Sequence, residues 1–345
     1  MSPNLYFDDF YAGATFDCGT TRFTAEEIVD FARQFDPQPF HVDAEAGRAS
    51  MLGGLAASGW HTCAQIMRMA FDGFIGRTAS RGGPGVQEVI WRRPVLEGME
   101  VSVMAEVVSA RPSASRPDRG IVTVRYRMTA CDDGRLLCDM TFPFFVLRNP
   151  ERGPYVATGA ETVHDRAPRP QRNAASVDFS KAVTGPDAAM WLDVKTAPIG
   201  KPIIIGQHTL TADEIVTFAE RFDPQPFHLD PMKGTEVFGG LSASGWHTGS
   251  LWMGQNVRHR DALLATLPPD KQKQVLAASG PALGVTDLRW PHPVLAGDSL
   301  TFFTVLEGMD PWRGDWLALR AFSGAVNQRG ALVFGAHSQV LRRAL

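Results

Sequence analysis

Residues 24–43, TAEEIVDFARQFDPQPFHVD, return as residues 211–230, TADEIVTFAERFDPQPFHLD, with fifteen of the twenty positions identical. GGLAASGWHT (53–62) returns as GGLSASGWHT (239–248), and GVQEVIWRRPVLEG (85–98) as GVTDLRWPHPVLAG (284–297). The blocks keep one order in both halves. A domain of roughly 150 residues has therefore been duplicated; a solenoid repeat would be far shorter. The expected units are residues 1–150 and 196–345. The linker between them, 151–195, is rich in Pro, Gly, Ala and charge, has no period, and is expected to cross the surface.

The copies differ in length. Trp60 and Trp91 are 31 positions apart, while Trp246 and Trp290 are 44 apart. The extra 13 residues are placed in RHRDALLATLPPDKQKQVLAAS of the second half.

Each copy opens with a short strand, 15–23 or 203–210, followed by a helix. Thr24 with Glu27, and Thr211 with Glu214, have capping-box spacing. Ile28, Phe31, Ala32 and Phe35 share one helical face. Asp36-Pro37 ends the helix, because a residue before proline avoids the helical region. A second helix starts near Gly59 and is apolar almost all round, which predicts a buried helix. Strand patterns follow at 85–93, 101–110, 121–130 and 136–147, with Asp132-Asp133-Gly134 as a hairpin turn. One antiparallel sheet wrapped around one buried helix accommodates this order: an α+β fold, present twice, whose two sheets are expected to join.

With 34 basic and 37 acidic residues, the chain has no positive excess with which to neutralise nucleic-acid phosphates. No apolar run approaches the ~20 residues that cross a bilayer. The start, MSPNLYFDDF, lacks the basic and apolar regions of a signal peptide. The cysteines, Cys18, Cys63, Cys131 and Cys138, form no CxxC pair, so no metal site is expected. A cytoplasmic protein with free thiols is the simplest expectation.

Asp36-Pro-Gln-Pro-Phe-His41 and Asp223-Pro-Gln-Pro-Phe-His228, each followed by a helix-opening glycine (Gly59, Gly245), resemble the motif of the MaoC-like dehydratases. These include the (R)-specific enoyl-CoA hydratases, and the family motif is Asp-x-Asn-Pro-aliphatic-His. Gln38 and Gln225 depart from its Asn, and Phe40 and Phe227 from its aliphatic residue. The resemblance implies a tandem double hot-dog fold and hydration of a 2-enoyl thioester, or dehydration of the 3-hydroxyacyl thioester. Double hot-dog members often keep the dyad in one half; here both halves carry it.

The resemblance also implies roles. Asp36 and His41, and Asp223 and His228, would each grip one water. The N–H groups of Gly59 and Gly245 would stabilise the enolate oxygen. Ser58 and Ser244 are expected to cap the buried helix, with substrate contact as the second reading. His61, His247, Trp60 and Trp246 are expected to be structural. Arg92, Arg93 and His292 are read as a solvated face, with CoA phosphates as the alternative. Coenzyme A enters only as part of an acyl-CoA substrate, and no cofactor, nucleic acid or membrane is implied. Two such chains are open to pairing again as a homodimer. Competing activities are a hot-dog acyl-CoA thioesterase and a non-catalytic acyl-CoA-binding protein. Hot-dog thioesterases carry a carboxylate on the buried helix, whereas this chain has none there before Asp72 or Asp261.

Overall fold

A computed structural model describes residues 3–152 and 177–343. The helix starts follow from their caps. Thr24 Oγ1 accepts from Glu27 N at 3.2 Å and Glu27 Oε2 accepts from Thr24 N at 3.2 Å, opening α1 (Ala25–Phe35). Thr211 and Glu214 do the same for α5 (Ala212–Phe222). The pairs satisfy N–H groups that a helix start leaves without partners. Between Asp and His the chain makes a single turn, α2 (Pro39–Val42) or α6 (Pro226–Leu229). Short helices α3 (Ala44–Ala49) and α7 (Pro231–Phe238) follow.

The buried helices are α4 (Gly59–Gly73) and α8 (Gly245–Leu264). Around α4 run β1 (Thr15–Arg22), β2 (Gly85–Trp91), β3 (Glu100–Pro112), β4 (Arg119–Ala130) and β5 (Leu136–Leu147). Around α8 run β6 (Pro202–Thr209), β7 (Ser279–Arg289), β8 (Ser299–Pro311), β9 (Trp316–Val326) and β10 (Leu332–Arg343). The expected joining of the sheets is realised. All ten strands form one sheet in the order β1-β3-β4-β5-β2-β7-β10-β9-β8-β6, which reads the same from either end in terms of the repeat. The seam is antiparallel, pairing Gly85 with Arg289 and Ile90 with Gly284. A Cβ on Gly284 would lie 2.5 Å from the Val89 carbonyl, so the close seam needs glycine there.

Helices cross the same pseudo-twofold axis. Phe31 meets Phe222 edge-on at 5.6 Å, and Phe35 meets Phe218 at 5.6 Å. Arg68 of α4 donates to the Glu220 carbonyl (2.8 Å), and Arg258 of α8 to the Gln34 carbonyl (2.6 Å). Each cation thus sits on the carbonyl-rich end of the other repeat's helix, where the helix dipole favours it.

The extra length of the second copy lies where the sequence places it. α8 has 20 residues against 15 in α4, and α9 (Pro269–Ala277) follows. The linker is described only in part. Residues 153–176 lie outside the described residues. The stretch from 177 onward does not merely cross the surface: it makes short 3-10 turns and packs on the second repeat's sheet. Val177 is buried with Phe303, Val305 and Phe322, and Val194 with Leu306 and Leu319. Among the described residues no helix is long and apolar enough to cross a membrane.

Candidate active site

Helix α1 stops at Asp36, whose φ of −160° and ψ of 65° turn the chain away. Helix α2 brings His41 back beneath it. His41 Nδ1 lies 2.6 Å from the Ala56 carbonyl. A carbonyl can only accept, so Nδ1 carries a proton, and in the neutral ring Nε2 presents a lone pair. That lone pair faces Asp36 Oδ2 at 3.4 Å, with both side chains buried. The second copy repeats this geometry: His228 Nδ1 donates to Ser242 O at 2.6 Å, and Nε2 lies 3.4 Å from Asp223 Oδ2.

Each carboxylate is anchored on two sides. Ser58 Oγ donates to Asp36 Oδ2 (2.6 Å), and Gln38 Nε2 donates to Oδ1 (3.0 Å). Ser244 and Gln225 hold Asp223 at 2.7 and 3.0 Å. The serine hydroxyls also accept the N–H groups of Trp60 and Trp246, at 3.2 Å each, and so cap α4 and α8. Helix cap and dyad therefore share one atom in each repeat, and both serine hydroxyls are already committed to these partners.

The glutamines reach further. Gln225 Oε1 accepts from Ser80 Oγ of the first repeat (2.9 Å), and Gln38 Oε1 accepts from Arg260 Nη1 of the second (3.0 Å). Each dyad is thus braced by the opposite repeat, once by a hydroxyl and once by a guanidinium. Sequence reasoning singled out neither Ser80 nor Arg260, and treated both glutamines only as departures from the motif.

A cavity of about 460 Å³ opens onto the Asp223–His228 dyad and Gly245. The first repeat contributes Met67, Ile75, Ser80, Phe142 and Phe144 to its lining. Arg81, Arg289 and His292 also line it. His292 is exposed, as are Arg92 and Arg93, which do not line this cavity.

Gly59 and Gly245 open the buried helices, where the first N–H groups have no acceptor within the helix. The reason for glycine lies elsewhere. A Cβ on Gly59 would come 2.5 Å from the Trp91 indole, and one on Gly245 would come 2.2 Å from the Trp290 indole. The glycines make room for tryptophan, whatever approaches their N–H groups. Trp60 and Trp246 are buried, and Trp246 also lines the cavity.

His61 and His247 lie in the helical interface, away from the dyads' hydrogen bonds. They stack on Phe31 (4.6 Å) and Phe218 (4.5 Å). Burial pulls both imidazoles down to about 3, so they are neutral at ordinary pH. Among the described residues no cluster of three or more His, Cys, Asp or Glu is placed to hold a metal ion. The cysteines are free thiols, with Cys18, Cys63 and Cys138 buried.

The profile of the MaoC-like domain matches residues 12–129. Over 121 residues the chain is 30% identical to YdeM, an uncharacterized protein of Bacillus subtilis; the match covers 35% of this chain and 84% of that one. A solved MaoC-domain dehydratase structure from Chloroflexus aurantiacus superposes with a TM-score of 0.71 at 15% identity, covering 100% of this chain and 99% of the other. A conserved hypothetical protein from Mycobacterium tuberculosis with a double hot-dog fold gives 0.68 at 18% identity, over 99% and 98% of the two chains. With the duplicated motif, the palindromic sheet and these likenesses together, the chain belongs to the MaoC-like dehydratase family and has its double hot-dog fold.

Proposed function

We propose that the chain is an (R)-specific enoyl-CoA hydratase, acting in reverse as a 3-hydroxyacyl-CoA dehydratase. The observation that carries this reading is the Asp223–His228 dyad. Its imidazole tautomer is set by Ser242 O, and it opens with the first turn of α8 into a cavity walled by Phe142 and Phe144.

In this reading the water between Asp223 and His228 gives up one proton to the dyad as its oxygen bonds to C3. The C2=C3 electron pair shifts toward the thioester oxygen. The Gly245 N–H and the α8 dipole stabilise that oxygen, a contribution of about 3–4 kcal/mol for one such donor. The proton then returns to C2, so that one water has been added across the double bond. Concerted acid–base help of this kind is worth about 10²–10⁴ in rate. Asp36, His41 and Gly59 have the same roles in the first copy. The (R) outcome and the acyl-CoA class belong to the proposal and are supported by the motif's resemblance to the (R)-specific enoyl-CoA hydratases.

A thioesterase would need a carboxylate on the buried helix near the thioester carbonyl. The first acid on α4 is Asp72, at the far end and paired with Arg68 at 2.8 Å. The test is an absorbance assay of 2-enoyl-CoA thioesters of several chain lengths. Loss of the conjugated double bond with the thioester intact is expected. Release of free thiol in its place would overturn the hydratase reading.

A further inference from the structure

The two dyads are alike to within a few tenths of an ångström, but their surroundings differ in chemistry. In site 2 the cross-repeat brace on Gln225 is Ser80, a small neutral group that lines the cavity together with Phe142 and Phe144. In site 1 the same brace on Gln38 is Arg260, in the last turns of α8, where α4 has already ended. The Arg260 side chain is only 14% exposed.

The facing strands differ in the same sense. β5 faces Trp246 through Phe142 (6.3 Å), and β10 faces Trp60 through Phe334 (6.2 Å). In strand register, with the hairpin glycines Gly134 and Gly330 equivalent, Phe142, Phe144 and Phe145 of β5 stand where β10 has Ser338, Val340 and Leu341. Three phenyl side chains thereby give way to one hydroxyl and two smaller aliphatic groups.

Arg342 at the end of β10 completes the contrast. In register it stands where β5 has the buried Val146; it donates to the Leu192 carbonyl (3.1 Å) and has Arg260 as its charged neighbour. Burial first, and then the Arg260 guanidinium, pull Arg342 down to about 10. The counter-charge nearby is Asp261, half exposed, with Oδ1 2.9 Å from both Nε and Nη2 of Arg260.

An alkyl chain laid against these guanidinium groups would strip their water without replacing its hydrogen bonds. A carboxylate would replace them with charge-assisted bonds. We propose that the Asp36–His41 site takes 2-enoyl thioesters whose acyl group carries a distal carboxylate. Arg260, with Arg342 behind it, recognises that carboxylate, while the Asp223–His228 site takes uncharged chains. The assignment rests on the hydratase reading and adds no step to it: water crosses the C2=C3 bond as before, with no redox partner.

The experiment compares the full chain on trans-2-hexenoyl-CoA and on trans-2-hexenedioyl-CoA, which adds a terminal carboxylate. Asp36→Asn is expected to lower the ratio of kcat/KM for the carboxylated over the uncharged thioester by about tenfold or more, and Asp223→Asn to raise it. Arg260→Ser, which copies Ser80 but also removes the guanidinium brace on Gln38, is expected to lower kcat/KM for the carboxylated substrate by about tenfold or more, through KM as well as kcat; Arg260→Lys should recover part of the loss. Hydration of the uncharged thioester by the same preparation reports that the variant is folded. A ratio unchanged in Asp36→Asn, or carboxylated-substrate kinetics unchanged in Arg260→Ser, overturns the assignment and leaves the hydratase reading standing. Failure of the unaltered chain to hydrate either thioester overturns both.

Discussion

Ser80 and Gln225, 145 residues apart in sequence, are joined by a 2.9 Å hydrogen bond that runs from one repeat to the side-chain amide beside Asp223 of the other. The same amide holds Asp223 Oδ1 at 3.0 Å. Gln225→Leu keeps the bulk but removes both bonds. It is expected to lower kcat about tenfold or more with a smaller effect on KM, because a misplaced dyad fails in the transition state more than in binding. Ser80→Ala leaves the Gln225 carbonyl oxygen short of a donor. It should cost about 1–3 kcal/mol in a denaturant titration.

The dyad itself sets a larger effect. On uncharged 2-enoyl-CoA substrates, Asp223→Asn and His228→Ala are each expected to reduce kcat by about 10²–10⁴. Steady-state kinetics check this. A double variant no worse than either single one would show that the pair acts as one unit.

Gly245→Ala should destabilise the fold. The new methyl would sit 2.2 Å from the Trp290 ring, and overpacking of this kind costs about 1–3 kcal/mol. Adding Trp290→Phe should return part of that stability, a coupling that a double-mutant cycle of unfolding midpoints measures. A glycine required only for substrate approach would leave the midpoint unmoved.

His61 and His247 make stability fall in acid. Their folded pKa of about 3 lies below the ordinary 6.5, so the unfolded chain binds protons that the folded one refuses. The stability they permit is complete above about pH 6.5 and is lost as pH falls from there toward about 3. At about pH 5 each should already cost about 2 kcal/mol relative to neutral pH. Thermal unfolding across that range is the measurement. A His61→Gln/His247→Gln variant should show a flatter dependence.

Much of this architecture is written locally, which is why the sequence displays it. Thr24 with Glu27 announces a helix start within four residues, Asp36-Pro37 announces its end, and the hydrophobic face of α1 recurs every turn. The dyad lies inside one six-residue motif, so only one helical turn has to form to close it. The short helices α2, α3 and α7 are not legible in the sequence, because four to eight residues are too few to show a period. Val177 and Val194 escaped for a related reason: their segment forms 3-10 turns, and its packing partners lie more than a hundred residues away. The contacts of Ser80 and Arg260 could not be read at all, since they exist only after the two repeats meet across the helical interface.

That meeting happens within one chain, along the β2–β7 seam. In an assembly of two identical subunits, any change that remodels one pocket must appear in the other, so the pair is locked to a common substrate. Here each half has its own stretch of sequence. Five more residues in α8 alter one chamber and leave its twin untouched. Fusion thus turns a symmetric machine into one whose two chambers are free to specialise.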